Sequence, residues 1–178
     1  MATARPNTTK YGNPFVKGLA GDSRWSSGDT VYYYLDPGSG TTPSSGYPTN
    51  WTAASMGAAF DQAAAAWSAV ANVSFARTTS LSQADIIETL YSDPEDGLLG
   101  EHEFPAEGRP EGRLNIGRSE FSSASNAKGG FGFMTILHEL GHALGLKHPF
   151  DGATFPGVTE GYFDSRGDND FNGTSWTV

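Results

Sequence analysis

The stretch His138-Glu139-Leu140-Gly141-His142-Ala143-Leu144-Gly145-Leu146-Lys147-His148 decides how this chain reads. It holds three of the four histidines in a sequence of 178 residues, with a glutamate directly after the first. A helix is expected from Phe131 to Leu144. At about 1.5 Å rise per residue, His138 and His142 then share one face, roughly 6 Å apart along the axis. Two imidazoles so placed can reach one zinc ion at about 2.0–2.1 Å. Glu139 lies beside the first of them. Its carboxylate can meet a water on the metal without ligating the metal, which is the place of a general base. Gly145 accepts a left-handed conformation, so it can end the helix and turn the chain sharply. That turn would carry His148 to the same metal as a third nitrogen ligand, and Pro149 blocks a return to helix. Three protein ligands leave one tetrahedral position open, the arrangement of a catalytic rather than a structural zinc.

The rest of the chain supports a single globular domain. Its length suffices for a real core, and 37% of its residues are hydrophobic and 12% aromatic, values that exclude a wholly disordered chain. A net charge of -9 argues against a nucleic-acid partner, because a phosphate backbone calls for a basic surface. The same acidity suits hard cations such as calcium. The absence of cysteine removes disulfides, thiolate nucleophiles and Cys-type zinc sites together. The N-terminal residues have no apolar h-region, so no conventional signal peptide is expected. No apolar run approaches the roughly 20 residues of a membrane span.

Residues 1–24 are polar and punctuated by Gly and Pro, and read as an arm lying on a domain formed by residues 25–178. Val31–Leu35 is a β-branched and aromatic run stopped by Asp36-Pro37-Gly38, hence a strand and a turn. A helix is expected from Thr52, as N-cap, to Ala71. Met56, Phe60, Ala63, Trp67 and Val70 would form its buried face. Strands follow at Val73–Arg77, at Ala84–Leu90 and, with charges that suit a sheet edge, at Leu98–Phe104. A short fifth strand is expected around Leu114–Ile116. Strand, long helix, strand is an α/β order whose crossover favours parallel pairing of the first two strands.

Other features carry less. The sequons at Asn7, Asn72 and Asn172 read as chance in a Ser/Thr-rich chain. His102 reads as a surface histidine, with a place on a cleft wall as the other option. Gly129–Gly132 lacks the lysine and spacing of a phosphate loop and reads as a hinge. Asp168-Asn169-Asp170-Phe171-Asn172-Gly173 follows the first half of a calcium loop. Asp164, Asp168, Asp170 and Asn172 are therefore candidate calcium ligands, beside the plainer reading of an Asx/Gly turn.

The pattern HExxHxxGxxH is the metzincin zinc signature, and the wording from Gly130 to Pro149 resembles the serralysins. The likeness extends to Asn13-Pro14, Leu19, Gly21–Trp25, Trp51–Ala71, Val73-Ser74-Phe75 and Ala84-Asp85-Ile86, so it covers most of residues 13–178. The resemblance implies an α/β (α+β) zincin-like fold. This is a twisted, mostly parallel five-stranded sheet with an antiparallel edge strand and two long helices, the second bearing the zinc motif. It implies zinc ligands His138, His142 and His148 and a catalytic Glu139. It further implies an extended polypeptide substrate lying antiparallel to the edge strand Leu98–Phe104, and an extracellular protease; a monomer is expected. One element departs from the family pattern. The methionines are Met1, Met56 and Met134, all before the zinc motif. Trp176-Thr177-Val178 resembles the residues that precede the family's Met-turn, so that turn and its tyrosine are expected beyond Val178. The expected function is a zinc endopeptidase. A zinc-binding domain left incomplete without its Met-turn is the first alternative. A calcium-dependent binding module using residues 164–173 is the second.

Overall fold

The computed structural model of the chain describes residues 1–38, 50–152, 155 and 156. The first element, β1 (Ala4–Pro6), pairs antiparallel with β2 (Ser23–Trp25), and between them lies a short helix, α1 (Pro14–Leu19). The Asn13 side chain caps α1 by accepting from the Phe15 amide, and Pro14 occupies the first turn. The N-terminal segment is thus joined to the rest of the chain through a β-ribbon, with Ala4 opposite Trp25.

The main sheet comprises β3 (Thr30–Leu35), β4 (Ser74–Thr78), β5 (Ile86–Tyr91), β6 (Gly100–His102) and β7 (Glu111–Asn115), in the spatial order β4-β3-β5-β7-β6. All neighbours pair in parallel except β6, which runs antiparallel to β7 with Glu101 opposite Arg113. This is the sheet expected from the family resemblance. The strand bounds differ from the sequence reading: β3 gains Thr30, β4 is shifted by one residue to Ser74–Thr78, and β5 starts two residues late at Ile86 and runs to Tyr91. The edge strand keeps only Gly100–His102 of the expected Leu98–Phe104, and β7 begins three residues before Leu114. Central β5 is buried along its whole length, Glu88 and Thr89 included. In β3 the alternation is clear: Val31, Tyr33 and Leu35 are buried, whereas Tyr32 is exposed.

Helix α2 (Met56–Ser68) is the crossover between the parallel strands β3 and β4, as expected. Its N-terminus differs from the sequence reading. Thr52 is not the N-cap: its amide and hydroxyl both donate to the Asn50 side chain. A 3-10 turn over Ala53–Ser55 follows, and Ser55 caps the helix with a left-handed backbone. Met56, Phe60 and Ala63 are buried as the period requires, but Val70 is 78% exposed because the helix stops at Ser68. Phe60 lies against Tyr33 and Trp51, with ring centroids 5.2 and 5.9 Å away. Helix α3 (Phe131–Leu144) has the expected bounds. It packs on α2, and the Trp67 indole donates to the Leu137 carbonyl at 2.9 Å. Phe133, Ile136, Leu140 and Ala143 form its buried stripe.

Candidate metal centre

The site is built from the end of α3. Gly130 leads into the helix, and Ser125 satisfies two orphan donors of its first turn: its hydroxyl accepts from the Gly132 amide and its carbonyl from the Phe133 amide. At the other end Gly145 adopts φ +99. The Gly145 amide donates to the His142 carbonyl and the Leu146 amide to the Gly141 carbonyl, a Schellman ending. The turn then brings His148 back towards the helix, as expected.

The three imidazoles converge. The Nε2 atoms of His138 and His142 are 3.0 Å apart, those of His138 and His148 3.1 Å, and those of His142 and His148 3.2 Å. Tetrahedral ligands at zinc–nitrogen distances of about 2.0–2.1 Å would stand roughly 3.3 Å apart, so the triangle fits that ion closely. The far sides of two rings are held as a metal site requires. His142 Nδ1 lies 2.7 Å from the Leu146 carbonyl, and His148 Nδ1 lies 3.1 Å from the Asp151 carboxylate. Each partner favours a proton on Nδ1 and leaves the Nε2 lone pair for a ligand. Burial depresses the pKa of His142, opposed by its bond to Leu146 and reinforced by His148, so the neutral, ligating form is favoured. Aromatic rings pack around the histidines: Phe150 stacks on His148 and Phe104 meets His142 edge-on.

Glu139 is buried and points towards β6. A Cβ on Gly100 would stand 2.9 Å from its Cγ and 3.0 Å from its Oε1, so the missing side chain at position 100 is what admits the carboxylate. Its Oε2 is buried with no hydrogen-bond partner among the described residues. Burial pushes its pKa up to about 8; the nearby His102 opposes this, and Glu88 and Glu101 add to it. The charge of a bound dication acts in the opposite sense and favours the carboxylate.

His102 is not a surface residue. Its side chain is fully buried on the inner side of β6, and its Nε2 lies 3.0 Å from Glu88 Oε1, itself buried on β5. Gly112 makes the space, since a Cβ there would come within 2.4 Å of both side chains. An alternating edge strand predicts that one face turns inward, but a charged segment gave no sign of which. The Leu146 carbonyl was also beyond sequence reasoning, because a backbone acceptor leaves no residue signature. Asp151 had a weak signal, as an Asp three residues after a candidate ligand and beyond a proline. The candidate calcium ligands Asp164, Asp168, Asp170 and Asn172 lie outside the described residues, as do Trp176–Val178.

The mostly parallel sheet, the antiparallel edge strand and the histidine cluster on the second long helix define a metzincin-type metalloprotease domain, similar to the serralysins. The matrixin family model matches residues 41–155, more than half of the chain, and the chain belongs to that family. Serralysin from Photorhabdus luminescens is 34% identical over 90 residues, which is 48% of this chain and 18% of that protein. Serralysin from Photorhabdus sp. (strain Az29) is 33% identical over 88 residues, 47% of this chain and again 18% of that protein. The matched region therefore spans less than a fifth of the curated relatives. A solved structure of myroilysin aligns with a TM-score of 0.47 at 21% identity, covering 70% of this chain and 52% of that one.

Proposed function

We propose that the chain is a zinc-dependent endopeptidase domain acting on extended polypeptides. The observation that carries this reading is the convergence of three Nε2 atoms within 3.0–3.2 Å of one another, with Glu139 next to the first ligand. His138, His142 and His148 would hold the zinc, which when bound supplies Lewis acidity towards a scissile carbonyl and lowers the pKa of water. Glu139 takes a proton from the attacking water and delivers it to the leaving amine. Its burial against Gly100 of β6 limits competing solvent.

Strand β6 stands at the end of the described sheet and pairs there with β7 alone. Its other edge can take an extended peptide by strand addition, antiparallel to β6. The pairing would use backbone groups, so it suits substrates of many sequences. The reading extends to a protease acting outside the cell, which the likeness to serralysins supports, and to a monomer.

Zinc analysis and digestion of a denatured protein substrate test the reading together. One zinc per chain is expected, lost in His142→Ala, and cleavage is expected to stop on chelation and in Glu139→Ala. Cleavage that survives Glu139→Ala refutes the mechanism. Zinc binding without any cleavage supports the alternative of a metal-binding domain with no turnover.

A further inference from the structure

We propose that the N-terminal segment Leu19–Trp25 is a positioning element of the metal centre, clamping the turn that carries the third histidine. The proposal rests on the zinc reading above and adds to it a part of the chain remote in sequence from the zinc motif. Residues 143–147 bond to this segment at three points. The Trp25 indole donates to the Ala143 carbonyl at 2.8 Å, the Gly21 amide to the Gly145 carbonyl at 2.8 Å, and the Lys147 amide to the Leu19 carbonyl at 2.8 Å. Ala20 and Leu146 face each other as an antiparallel bridge between the last two bonds.

Leu146 is the residue through which the clamp acts. Its carbonyl lies 2.7 Å from His142 Nδ1 and so sets the orientation and tautomer of the second ligand. His148 follows two residues later. The seam is tight because it lies between glycines. A Cβ on Gly21 would stand 2.7 Å from the Gly145 oxygen, and a Cβ on Gly145 would stand 2.2 Å from the Ser23 oxygen. The segment is itself tied down from the N-terminal side. The Asn7 side chain donates to the Gly21 carbonyl at 2.9 Å and the Asn7 amide to the Asp22 carbonyl at 2.7 Å.

A helix ending supplies bonds for Gly145 and Leu146 but none for Lys147. Without the clamp, the turn around Lys147 would be held less firmly before the metal binds, and the entropy of ordering it would be taken from zinc affinity. The clamp makes the third ligand pre-organised. It therefore acts on metal affinity and ligand geometry, beyond its share in fold stability.

The test uses the full chain with two substitutions, Gly21→Ala, which forces the seam apart, and Asn7→Ala, which leaves the backbone in place and removes its anchor. Zinc affinity is measured by competition with a chromophoric chelator. Ligand geometry is read from the visible absorption of the cobalt(II) form, and folding from the melting of the metal-free chain. Phe60→Ala, which opens a cavity in the core, controls for lost stability alone. Zinc affinity is expected to fall about 10- to 100-fold in Gly21→Ala, with a changed cobalt spectrum, and by a smaller factor in Asn7→Ala. Phe60→Ala is expected to melt earlier with affinity and spectrum unchanged while folded. Should Gly21→Ala fail to fold, Asn7→Ala decides by the same two readouts. Wild-type affinity and spectrum in the folded clamp variants overturn the proposal. A wild-type chain that binds no zinc overturns instead the metal-site reading beneath it.

Discussion

Replacing His102 by alanine tests the buried pair between β5 and β6. The His102 and Glu88 side chains are 0% and 2% exposed, with 3.0 Å between Nε2 and Oε1. Removing the imidazole leaves the Glu88 carboxylate in an apolar interior without its partner. Breaking one half of such a buried pair costs roughly 3–5 kcal/mol, because the remaining charge has neither water nor a counterion. Set against a total stability of about 5–15 kcal/mol for a domain, that loss would be evident in a denaturant titration. The penalty belongs to the orphaned charge, so Glu88→Ala together with His102→Ala should cost less than the sum of the two single changes, by about 1–3 kcal/mol. The pH dependence has a definite sign. Burial lowers the pKa of His102, but the charge and hydrogen bond of Glu88, the Glu103 carbonyl and Glu139 together raise it above its ordinary value. The pair's contribution is then fully present below about pH 6.5, the ordinary histidine value, and is lost as pH rises through the higher folded-state value. A single-variant loss under about 1 kcal/mol, or additive single changes, would refute the argument that these groups stabilise each other as a charged pair.

Further outcomes are expected elsewhere. Glu139→Gln should retain zinc while cleavage of an unfolded protein substrate falls by about 10²–10⁴-fold; a smaller fall removes Glu139 from proton transfer. Phe60→Ala should cost about 3–5 kcal/mol in chemical denaturation, since the ring is fully buried between Tyr33 and Trp51. Val70→Ser should change stability by less than about 0.5 kcal/mol despite its place in the helical period, because the side chain projects into solvent beyond the end of α2. A loss above 1 kcal/mol there would mean that Val70 packs against something in solution.

The centre was legible because its geometry is local. The spacing of His138 and His142, the turning glycine and His148 belong to eleven consecutive residues; helical geometry aligns the first two and the Gly145 turn returns the third. The bounds of α3 and the parallel pairing of β3 and β4 were legible for similar reasons: a long periodic segment and a crossover connection. What escaped depended on residues distant in sequence. Thr52 looked like an N-cap until Asn50 took both its donors, and Val70 looked buried until the helix ended before it. His102 carried no marker of burial. Its partner Glu88 lies on another strand, inside a segment whose apolar neighbours suggested only a core. The attachment of Leu19–Lys147 runs through backbone groups, which every sequence supplies alike.

Gly100 makes the point in the terms of a protein engineer. The absence of one methyl group there leaves the hollow into which Glu139 fits. An alanine at that position alters no charge, yet its methyl group crowds the Glu139 side chain, and Leu114 beside it, out of their present seats. It is therefore the smallest edit expected to yield a metal-loaded but inactive decoy, able to capture a polypeptide along its edge strand without cutting it. Co-purification of an intact peptide with Gly100→Ala would show that the edge strand holds a polypeptide.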